Sequence, residues 1–158
     1  MCKPRVANAA KPEVTDHMKP ITDLVSNEKN ILVSCDDSGK IWVWDYIDSR
    51  LQQTVSFEGY NGFSCNCLAF YKKYVLAGYG SGHLRVFDIN SKLLISEISG
   101  HSKWVTAIDV APDTDRVSHE FSQNIANHML FGGVFLDKSG NSFCVSGYDS
   151  LELHYFSQ

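Results

Sequence analysis

One short sequence pattern recurs at a fixed spacing, and this repeat constrains the fold of the chain more than any other feature. Residues 38–45 read SGKIWVWD and residues 81–88 read SGHLRVFD, at an offset of 43 residues. A third and more distant copy, VSGYDSLELHYF in 145–156, aligns with LAGYGSGHLRVF in 76–87. Repeats of about 20–50 residues indicate units that bury their apolar faces against neighbouring copies of themselves.

Each copy of the pattern predicts two β-strands joined by a tight turn. An apolar run is followed by a turn rich in Gly, Asp and Ser, and then by a run of β-branched and aromatic residues, which is typical of a hairpin. Both alternating positions of these runs are apolar, so both faces of each sheet should be covered. The predicted strands are 21–25, 31–34, 41–44, 51–57, 65–70, 74–77, 84–87, 93–98, 105–110, 143–146 and 151–156.

The composition is that of a folded, mildly acidic protein. Of the 158 residues, 44% are hydrophobic and 20% are charged, which excludes a disordered chain. The formal net charge of −4 and the lack of a Lys/Arg cluster argue against nucleic acid as a partner. The chain contains no run of about 18 apolar residues, so no transmembrane segment is predicted. The first residues are not followed by the apolar stretch of a signal peptide. We therefore expect a cytoplasmic protein.

The cysteines and histidines show no spacing that is typical of a metal site. The five cysteines include no C-x-x-C pair, and the six histidines lack the helical spacing of a zinc site. Thiols of this kind are most often buried and reduced in cytoplasmic proteins. The sequence therefore predicts neither a metal nor any other cofactor.

Particular residues of the repeat resemble the WD40 family. The first two copies end on Trp44-Asp45 and Phe87-Asp88, and Gly100-His101 is the dipeptide that precedes the first strand of a WD40 blade. WD40 blades have four strands and about 40–45 residues, and about four to eight of them close a ring. The resemblance implies an all-β WD40 β-propeller. We expect this propeller to be incomplete, with about three to four blades, one of which misses its central hairpin.

The resemblance also implies a set of residues that hold each blade together. In such blades a His, a Ser or Thr, an Asp and a Trp can form a buried hydrogen-bonded chain. In the first unit both Asp36 and Asp37 could supply the carboxylate, and in the second unit Ala77 replaces the serine. The expected structural blade residues are His17, Ser34, Asp37, Trp44, Asp45, Phe87, Asp88, Gly100 and His101.

Four segments are closer to one longer member of the family than to the family in general. They are 20–24, 35–39, 76–82 and 139–149. Together they resemble the C-terminal half of that protein over residues 16–158, which we interpret as a partial WD40 propeller. Residues 1–15 contain two prolines and no periodicity, so we interpret them as a disordered N-terminal tail.

The third repeat is shorter than the first two. Leu84 and Phe87 align with Leu153 and Phe156 at an offset of 69, whereas two repeat steps of 43 would give about 86. After the first strand predicted at 105–110, the expected hairpin does not appear. A skipped exon or a gene-model gap near Arg116-Val117 is the simplest explanation. The alternative is a short blade with a long loop at 111–130.

The resemblance implies a non-catalytic scaffold that mediates protein–protein interactions. WD40 propellers usually bind partners on the face that carries the turns between second and third strands and the loops leading into first strands. Aromatic side chains on such a face are the anchors that interfaces favour. The candidate partner-binding residues are Asp37, Tyr60, Phe63, Tyr79, Lys103, Trp104 and Tyr148. For Phe63 and Trp104, packing between blades is an equal alternative.

Other functions stay open beside the scaffold. A truncated or alternatively spliced form of a longer propeller protein could have no independent function or could interfere with its full-length relative. An enzyme on a propeller frame would need convergent carboxylates or a metal cluster, and the sequence shows neither, so no catalytic residue is predicted. The expected partners are other proteins, and the edges of an incomplete ring also allow copies of the chain to self-associate.

Overall fold

The described part of the chain is built of β-strands. In a computed structural model, the described residues are 17–27, 29–102, 104–110, 130–138, 141–147 and 153–157. They form eleven strands in three antiparallel sheets, and no helix that could span a membrane occurs among them. The tail expected at 1–15 lies outside these residues.

The first two sheets have four strands each, and the third has three. The first sheet contains Ile21–Ser26 (β1), Ile31–Asp36 (β2), Ile41–Ile47 (β3) and Arg50–Phe57 (β4). The second contains Cys65–Tyr71 (β5), Tyr74–Tyr79 (β6), His83–Asp88 (β7) and Leu93–Ser99 (β8). The third contains Leu130–Phe135 (β9), Ser142–Gly147 (β10) and Leu153–Ser157 (β11). In each sheet, consecutive strands are neighbours.

The two complete sheets turn in the same way at the same repeat position. The N–H of Gly39 donates a hydrogen bond to the carbonyl of Asp36 (2.9 Å), and the N–H of Gly82 donates one to the carbonyl of Tyr79 (3.0 Å). Both glycines have a positive φ, +83° and +84°, which a residue with a side chain adopts at a cost. The predicted all-β fold of repeated four-stranded blades is therefore confirmed.

The main core lies between the first and second sheets. Val33 and Val43 on the first sheet and Val75 on the second are almost completely buried in one cluster. Phe57 at the end of β4 stacks on Phe87 of β7, with ring centroids 4.4 Å apart. Because each sheet is apolar on both faces, this contact covers one face of each sheet and leaves the other for a further neighbour.

Hydrogen bonds from the first strands fix how the two sheets dock. The Asp23 carboxylate accepts one bond from the N–H of Leu24 (2.8 Å) and another from the N–H of Leu68 in β5 (2.7 Å). The Thr22 hydroxyl donates to the carbonyl of Cys65 at the start of β5. These directional contacts join β1 to β5 and set the register between the two blades.

The far face of the second sheet is covered by residues 104–110, which do not form the strand predicted at 105–110. Ile108 and Val110 pack against Leu76 and Val86, and the N–H of Val105 donates to the carbonyl of Tyr79 (3.2 Å). A strand needs a ladder of backbone bonds with a neighbour, and no described strand pairs with this segment. The sequence therefore identified a correct packing segment but assigned it the wrong backbone structure.

The third sheet contains one strand that the sequence analysis did not predict. Strands β10 and β11 correspond to the strands predicted at 143–146 and 151–156, and β9 pairs with β10 ahead of them. The two glycines in the middle of β9 weaken its strand signal. Residues 111–129, where we place the missing hairpin or the long loop, lie outside the described residues.

We expect the substitution Gly39→Ala to destabilise the fold by about 2–4 kcal/mol. A Cβ at this position would collide with the carbonyl oxygen of Phe63, and the positive φ adds strain. Gly62→Ala is the matched control. Its φ is +75° but nothing lies within 4 Å of the added Cβ, so a loss of about 1 kcal/mol is expected. Urea unfolding measures both, and equal losses would contradict the close approach.

Candidate functional site

A chain of hydrogen bonds connects four side chains of the first blade. His17 Nδ1 lies 2.7 Å from a carboxylate oxygen of Asp36, and His17 Nε2 lies 2.7 Å from the hydroxyl of Ser34. The indole N–H of Trp44 donates to the same hydroxyl (2.8 Å). Because the carboxylate only accepts, Nδ1–H donates to Asp36, and Ser34 donates in turn to Nε2. The network ties the segment before β1 to β2 and β3.

The carboxylate of this network belongs to Asp36, so the assignment of Asp37 as a blade residue is corrected. In a strand, residues two apart share a face, which places Asp36 beside Ser34 and turns Asp37 away. Asp36 is buried and Asp37 is exposed. Burial by itself would raise the pKa of Asp36, but the hydrogen bonds from Ser38 and His17 outweigh it and hold the pKa below its ordinary value.

The arrangement of Ser34, His17 and Asp36 has the order of a catalytic triad but not its accessibility. Ser34 is 2% exposed and Asp36 is 1% exposed, so a substrate carbonyl has no path to the hydroxyl. The Ser34 oxygen also accepts the hydrogen bond from Trp44, whereas a nucleophilic serine needs a free lone pair directed at its substrate. The network therefore stabilises the blade and provides no reactive oxygen.

The second blade fills the equivalent positions with aromatic side chains and an arginine. At the repeat offset of 43, Ala77 replaces Ser34 and Phe87 replaces Trp44. The guanidinium of Arg85 lies over the rings of Tyr60 (5.2 Å), Tyr79 (5.8 Å) and Phe87 (5.1 Å). Cation–π contacts of this kind are worth about 0.5–2 kcal/mol each. This cluster replaces a hydrogen-bond network that the second blade cannot form.

The position of Tyr79 corrects a sequence-based prediction. Tyr79 was expected on the partner-binding surface, but it is completely buried between the first two sheets. It is the last residue of β6 and faces the first sheet, where its hydroxyl donates to the carbonyl of Gly39 (3.3 Å). The desolvation that accompanies this burial raises the pKa of the phenol. The sequence placed Tyr79 in the turn because Gly78 and Gly80 flank it.

The remaining structural blade residues have different surroundings. Asp88 is buried and forms an ion pair with the ammonium group of Lys73 (2.8 Å). The hydrogen bond from Lys73 is the main cause that holds the pKa of Asp88 below its usual value. Asp45 accepts only a long contact from Asn30 (3.5 Å). Gly100 and His101 are exposed, and His101 contributes its backbone N–H to the carbonyl of Gly82 (3.2 Å).

Among the described residues, the ring of His101 makes no hydrogen bond like those of the His17 ring. His17 contacts Ser34, which lies 17 residues further along the chain. At the same spacing His101 would face residues near 118, and these lie outside the described residues. The role of His101 as a structural blade residue therefore stays a prediction.

Three of the predicted partner-binding residues lie on one exposed surface. Phe63 is 44% exposed and Trp104 is 64% exposed, and Asp37 is also exposed. Phe63 adjoins the β2–β3 turn through Gly39, and the indole nitrogen of Trp104 adjoins Gly80 in the β6–β7 turn. We call Asp37, Phe63 and Trp104 the turn-side surface. Lys103 and Tyr148 lie outside the described residues.

Tyr60 connects the loop that carries Phe63 to the packed side chains of the second blade. It is half-buried, and its ring lies against His83 (4.6 Å) and Tyr79 (5.9 Å). Its carbonyl accepts a hydrogen bond from the N–H of Phe63 (2.8 Å). The loop that presents Phe63 is therefore held by the Arg85 cluster of the second blade. No role was predicted for Arg85 from the sequence, although it lies two residues before Phe87 in β7 and therefore on the same face, towards the first sheet.

The described cysteines and acidic groups do not form a reactive or metal-binding centre. No group of three His, Cys, Asp or Glu side chains among the described residues could hold a metal ion. Burial is the main cause that raises the pKa of Cys67 to about 12. The pKa of Cys65 is also raised, by its hydrogen bond with Cys35 and by burial. The pKa of Cys35 is lowered, mainly by its hydrogen bond with Cys65, but Cys35 is completely buried, and a nucleophilic cysteine also needs access to solvent.

Comparison with known proteins decides the family. A family model described as WDR54 matches residues 5–118, which is most of the chain. The chain belongs to this family of WD repeat proteins. It is 27% identical over 175 residues to WD repeat domain 54 of Rattus norvegicus, covering 91% of this chain and 52% of that protein. It is 26% identical over 176 residues to WD repeat-containing protein 54 of Homo sapiens, covering 92% of this chain and 52% of that protein.

The member of the WDR54 family described here spans about half the length of these relatives. Its fold also matches a chain of the mitotic checkpoint complex with a TM-score of 0.78, at 16% identity, over 90% of this chain and 51% of the other. A computationally designed protein, Ika8, matches over 90% of this chain and 34% of its own, with a TM-score of 0.52 and 22% identity. The predicted incomplete WD40 β-propeller is therefore confirmed.

We expect the substitution Trp44→Ala to lower the free energy of unfolding by about 3–5 kcal/mol, because it leaves a cavity where a buried ring was. Trp44→Phe, which copies Phe87 of the second blade, removes the hydrogen bond to Ser34 and part of the indole but keeps an aromatic ring, and should cost about 1–3 kcal/mol. Denaturant unfolding followed by circular dichroism measures both. A loss below about 1 kcal/mol for Trp44→Ala would show that the ring does not support the blade.

We expect the stability of the protein to depend on the ionisation of Asp36 in acid. Its folded pKa is lowered, so the stabilisation is fully present above the unfolded value of about 3.9 and is lost as the pH falls through the lowered folded value. In urea unfolding between about pH 2.5 and 6, Asp36→Asn should flatten this dependence. Asp37→Asn is the matched control, because it keeps every hydrogen bond of the network, and its acid dependence should match that of the unsubstituted chain.

Proposed function

We propose that this WD repeat protein is a non-catalytic scaffold that binds other proteins through its turn-side surface. The observation that carries the proposal is the exposure of Phe63 and Trp104 beside the β2–β3 and β6–β7 turns, the first of which also carries the exposed Asp37. Large aromatic side chains that stay in water on a folded surface are the anchors of protein interfaces. Lys103 and Tyr148 stay candidates for the same role on sequence grounds.

The support beneath the turn-side surface favours binding without rearrangement. The N–H of Phe63 is bonded to Tyr60, and Tyr60 packs on His83 and lies under Arg85. A loop held in this way loses little conformational entropy when a partner arrives, so more of the contact energy contributes to affinity. A protein partner with an apolar side chain for Phe63 or Trp104 and a cation or amide for Asp37 fits this surface.

Two properties support a binding role over catalysis. The Ser34–His17–Asp36 network is buried, and the relatives are WD repeat proteins. The formal net charge of −4 favours protein partners over nucleic acid. We place the function in the cytoplasm, where the buried free thiols of Cys35, Cys65 and Cys67 would stay reduced.

We further propose that the chain is a shortened form of a longer propeller, by splicing or truncation. The alignment with the rat relative is 175 residues long, but it contains only about 144 residues of this chain, which is 91% of its 158 residues. The difference is about the size of a β-hairpin and its connections. Sequencing transcripts across Arg116-Val117 tests this: a longer transcript that encodes a hairpin at this junction would support it, and genomic continuity without one would contradict it.

The alternative role for such a form is interference with its full-length relative, or no independent role. An interfering form would carry the same turn-side surface as a scaffold. Capture of partners by the isolated chain therefore distinguishes a form that binds from a form that has no independent role. A chain that captures partners through Phe63 and Trp104 acts as a scaffold by itself. A chain that captures none has no independent function of this kind.

We expect the substitution Trp104→Ala, alone or with Phe63→Ala, to lower capture of protein partners by the immobilised chain at least about tenfold, because anchor residues contribute about 2 kcal/mol or more. Tyr46→Ala is the matched control. Tyr46 is a similarly exposed aromatic, 54%, at the opposite end of β3 from the β2–β3 turn. Quantitative mass spectrometry of the captured proteins measures the effect. Equal losses for Trp104→Ala and Tyr46→Ala would contradict a specific role of the turn-side surface.

A further inference from the structure

The outer strand of the second blade exposes an unbroken apolar run. β8 is the last strand of its sheet, so one of its backbone edges has no described neighbour. Leu93, Leu94 and Ile95 are 60%, 41% and 54% exposed. Consecutive strand residues point to opposite faces, so these aliphatic side chains flank the open edge on both sides, and an exposed apolar edge is a template for association. We call Leu93, Leu94 and Ile95 the rim patch.

The first blade shows that a blade does not require this patch. In β4 the same ladder positions, opposite Asp45 and Trp44, are occupied by Gln52 and Gln53, and Thr54 follows as the bulged residue. In β8 the positions opposite Asp88 and Phe87 are Leu93 and Leu94, and Ile95 is the bulged residue. The two outer strands therefore share the same ladder positions and the same bulge, and they differ in their side chains. The apolar character belongs to β8 alone of the two outer strands.

The charges that flank the rim patch are ordered so that the patch is complementary to itself. Lys92 precedes the three aliphatic residues, and Glu97 follows them after Ser96. When two such strands approach in antiparallel directions with Lys92 of each copy beside Glu97 of the other, Leu94 of each copy faces Ile95 of the other, and Leu93 faces Ser96. A parallel approach would place Lys92 against Lys92. Opposite charges across paired strands stabilise the pair and like charges oppose it.

The position of Glu97 suits this role. It lies opposite Arg85 in the ladder, with an Arg85 Nε to carboxylate distance of 3.1 Å, and its side chain is still 37% exposed. A carboxylate has two oxygens, so Glu97 can keep Arg85 and accept a second cation from outside the sheet. Lys92 is exposed in the turn before β8 and has a long, adaptable side chain.

We propose that β8 is a self-association surface, at which two copies of this chain meet in antiparallel orientation through the rim patch. The bulge at Ile95 interrupts the regular backbone edge, so the contact rests on side chains rather than on a continuous ladder. A two-fold arrangement uses the same patch on both copies. The surface is on the outer rim, so it is independent of the turn-side surface and of the proposed scaffold function.

The small size of the rim patch sets the strength of the association. Stable dimers bury about 1,200–2,000 Å² in total, and three side chains with two flanking charges provide less than that. The dimer is therefore weak and concentration-dependent. It forms readily where many copies are held close together, because a high local concentration replaces intrinsic affinity.

Sedimentation equilibrium of the purified full chain over a wide concentration range tests the proposal. The weight-average mass should rise from the monomer towards twice that value. Leu94→Lys should weaken the dimer at least about tenfold, because the symmetry introduces the charge twice at the centre of the contact. Gln53→Lys, at the same ladder position in β4, should leave the dimer unchanged. Circular dichroism and urea unfolding check that both variants fold.

A milder variant keeps the test valid if Leu94→Lys does not fold. Lys92→Glu changes only an exposed turn residue, leaves the apolar run intact, and should weaken the dimer by several-fold and reduce its sensitivity to salt. A chain that stays monomeric at all concentrations, or one whose dimer is unaffected by Leu94→Lys or Lys92→Glu, would overturn the proposal. The second result would place self-association at another edge of the incomplete ring.

Discussion

The stacking of one sheet on the next is the interaction on which the rest of the structure depends. A four-stranded blade is apolar on both faces and cannot bury either of them alone. The contact between Phe57 and Phe87, within the cluster that includes Val33 and Val75, supplies this burial for the first two blades. The directional bonds from Asp23 and Thr22 to the backbone of β5 then fix the register that the apolar contact alone would leave loose.

The first two blades solve the same packing problem with different chemistry. In the first blade, His17, Ser34, Asp36 and Trp44 satisfy one another's hydrogen bonds, so each member is costly to remove. In the second, aromatic rings enclose the guanidinium of Arg85, which is held without a continuous hydrogen-bonded chain. The second solution extends outward through Tyr60 to the loop that carries Phe63. Structural packing and presentation of the turn-side surface therefore belong to one cluster.

The sequence predicted the fold well where local signals and the repeat agree, and less well where neighbours decide. Strands β1 to β8 follow from the alternation of apolar runs and Gly-containing turns, because each hairpin partner is adjacent in the chain. Residues 105–110 have the composition of a strand but no described partner, and composition cannot show that. Tyr79 was placed on the surface because glycines flank it, whereas the docking of the first blade buries it. The choice between Asp36 and Asp37 required only strand alternation with Ser34.

The docking of the third repeat follows the same rule as the first two, although the repeat is shorter. Asp109 accepts a hydrogen bond from the N–H of Val110 (2.9 Å) and another from the N–H of Phe135 in β9 (2.9 Å). Asp23 makes the same pair of contacts, with the following residue and with the first strand of the next sheet. The two aspartates lie two repeat lengths apart in the sequence. Asp109 lies ahead of the part of the chain where the third repeat departs from the repeat length, and it gives the third sheet the same pair of backbone contacts that Asp23 gives the second.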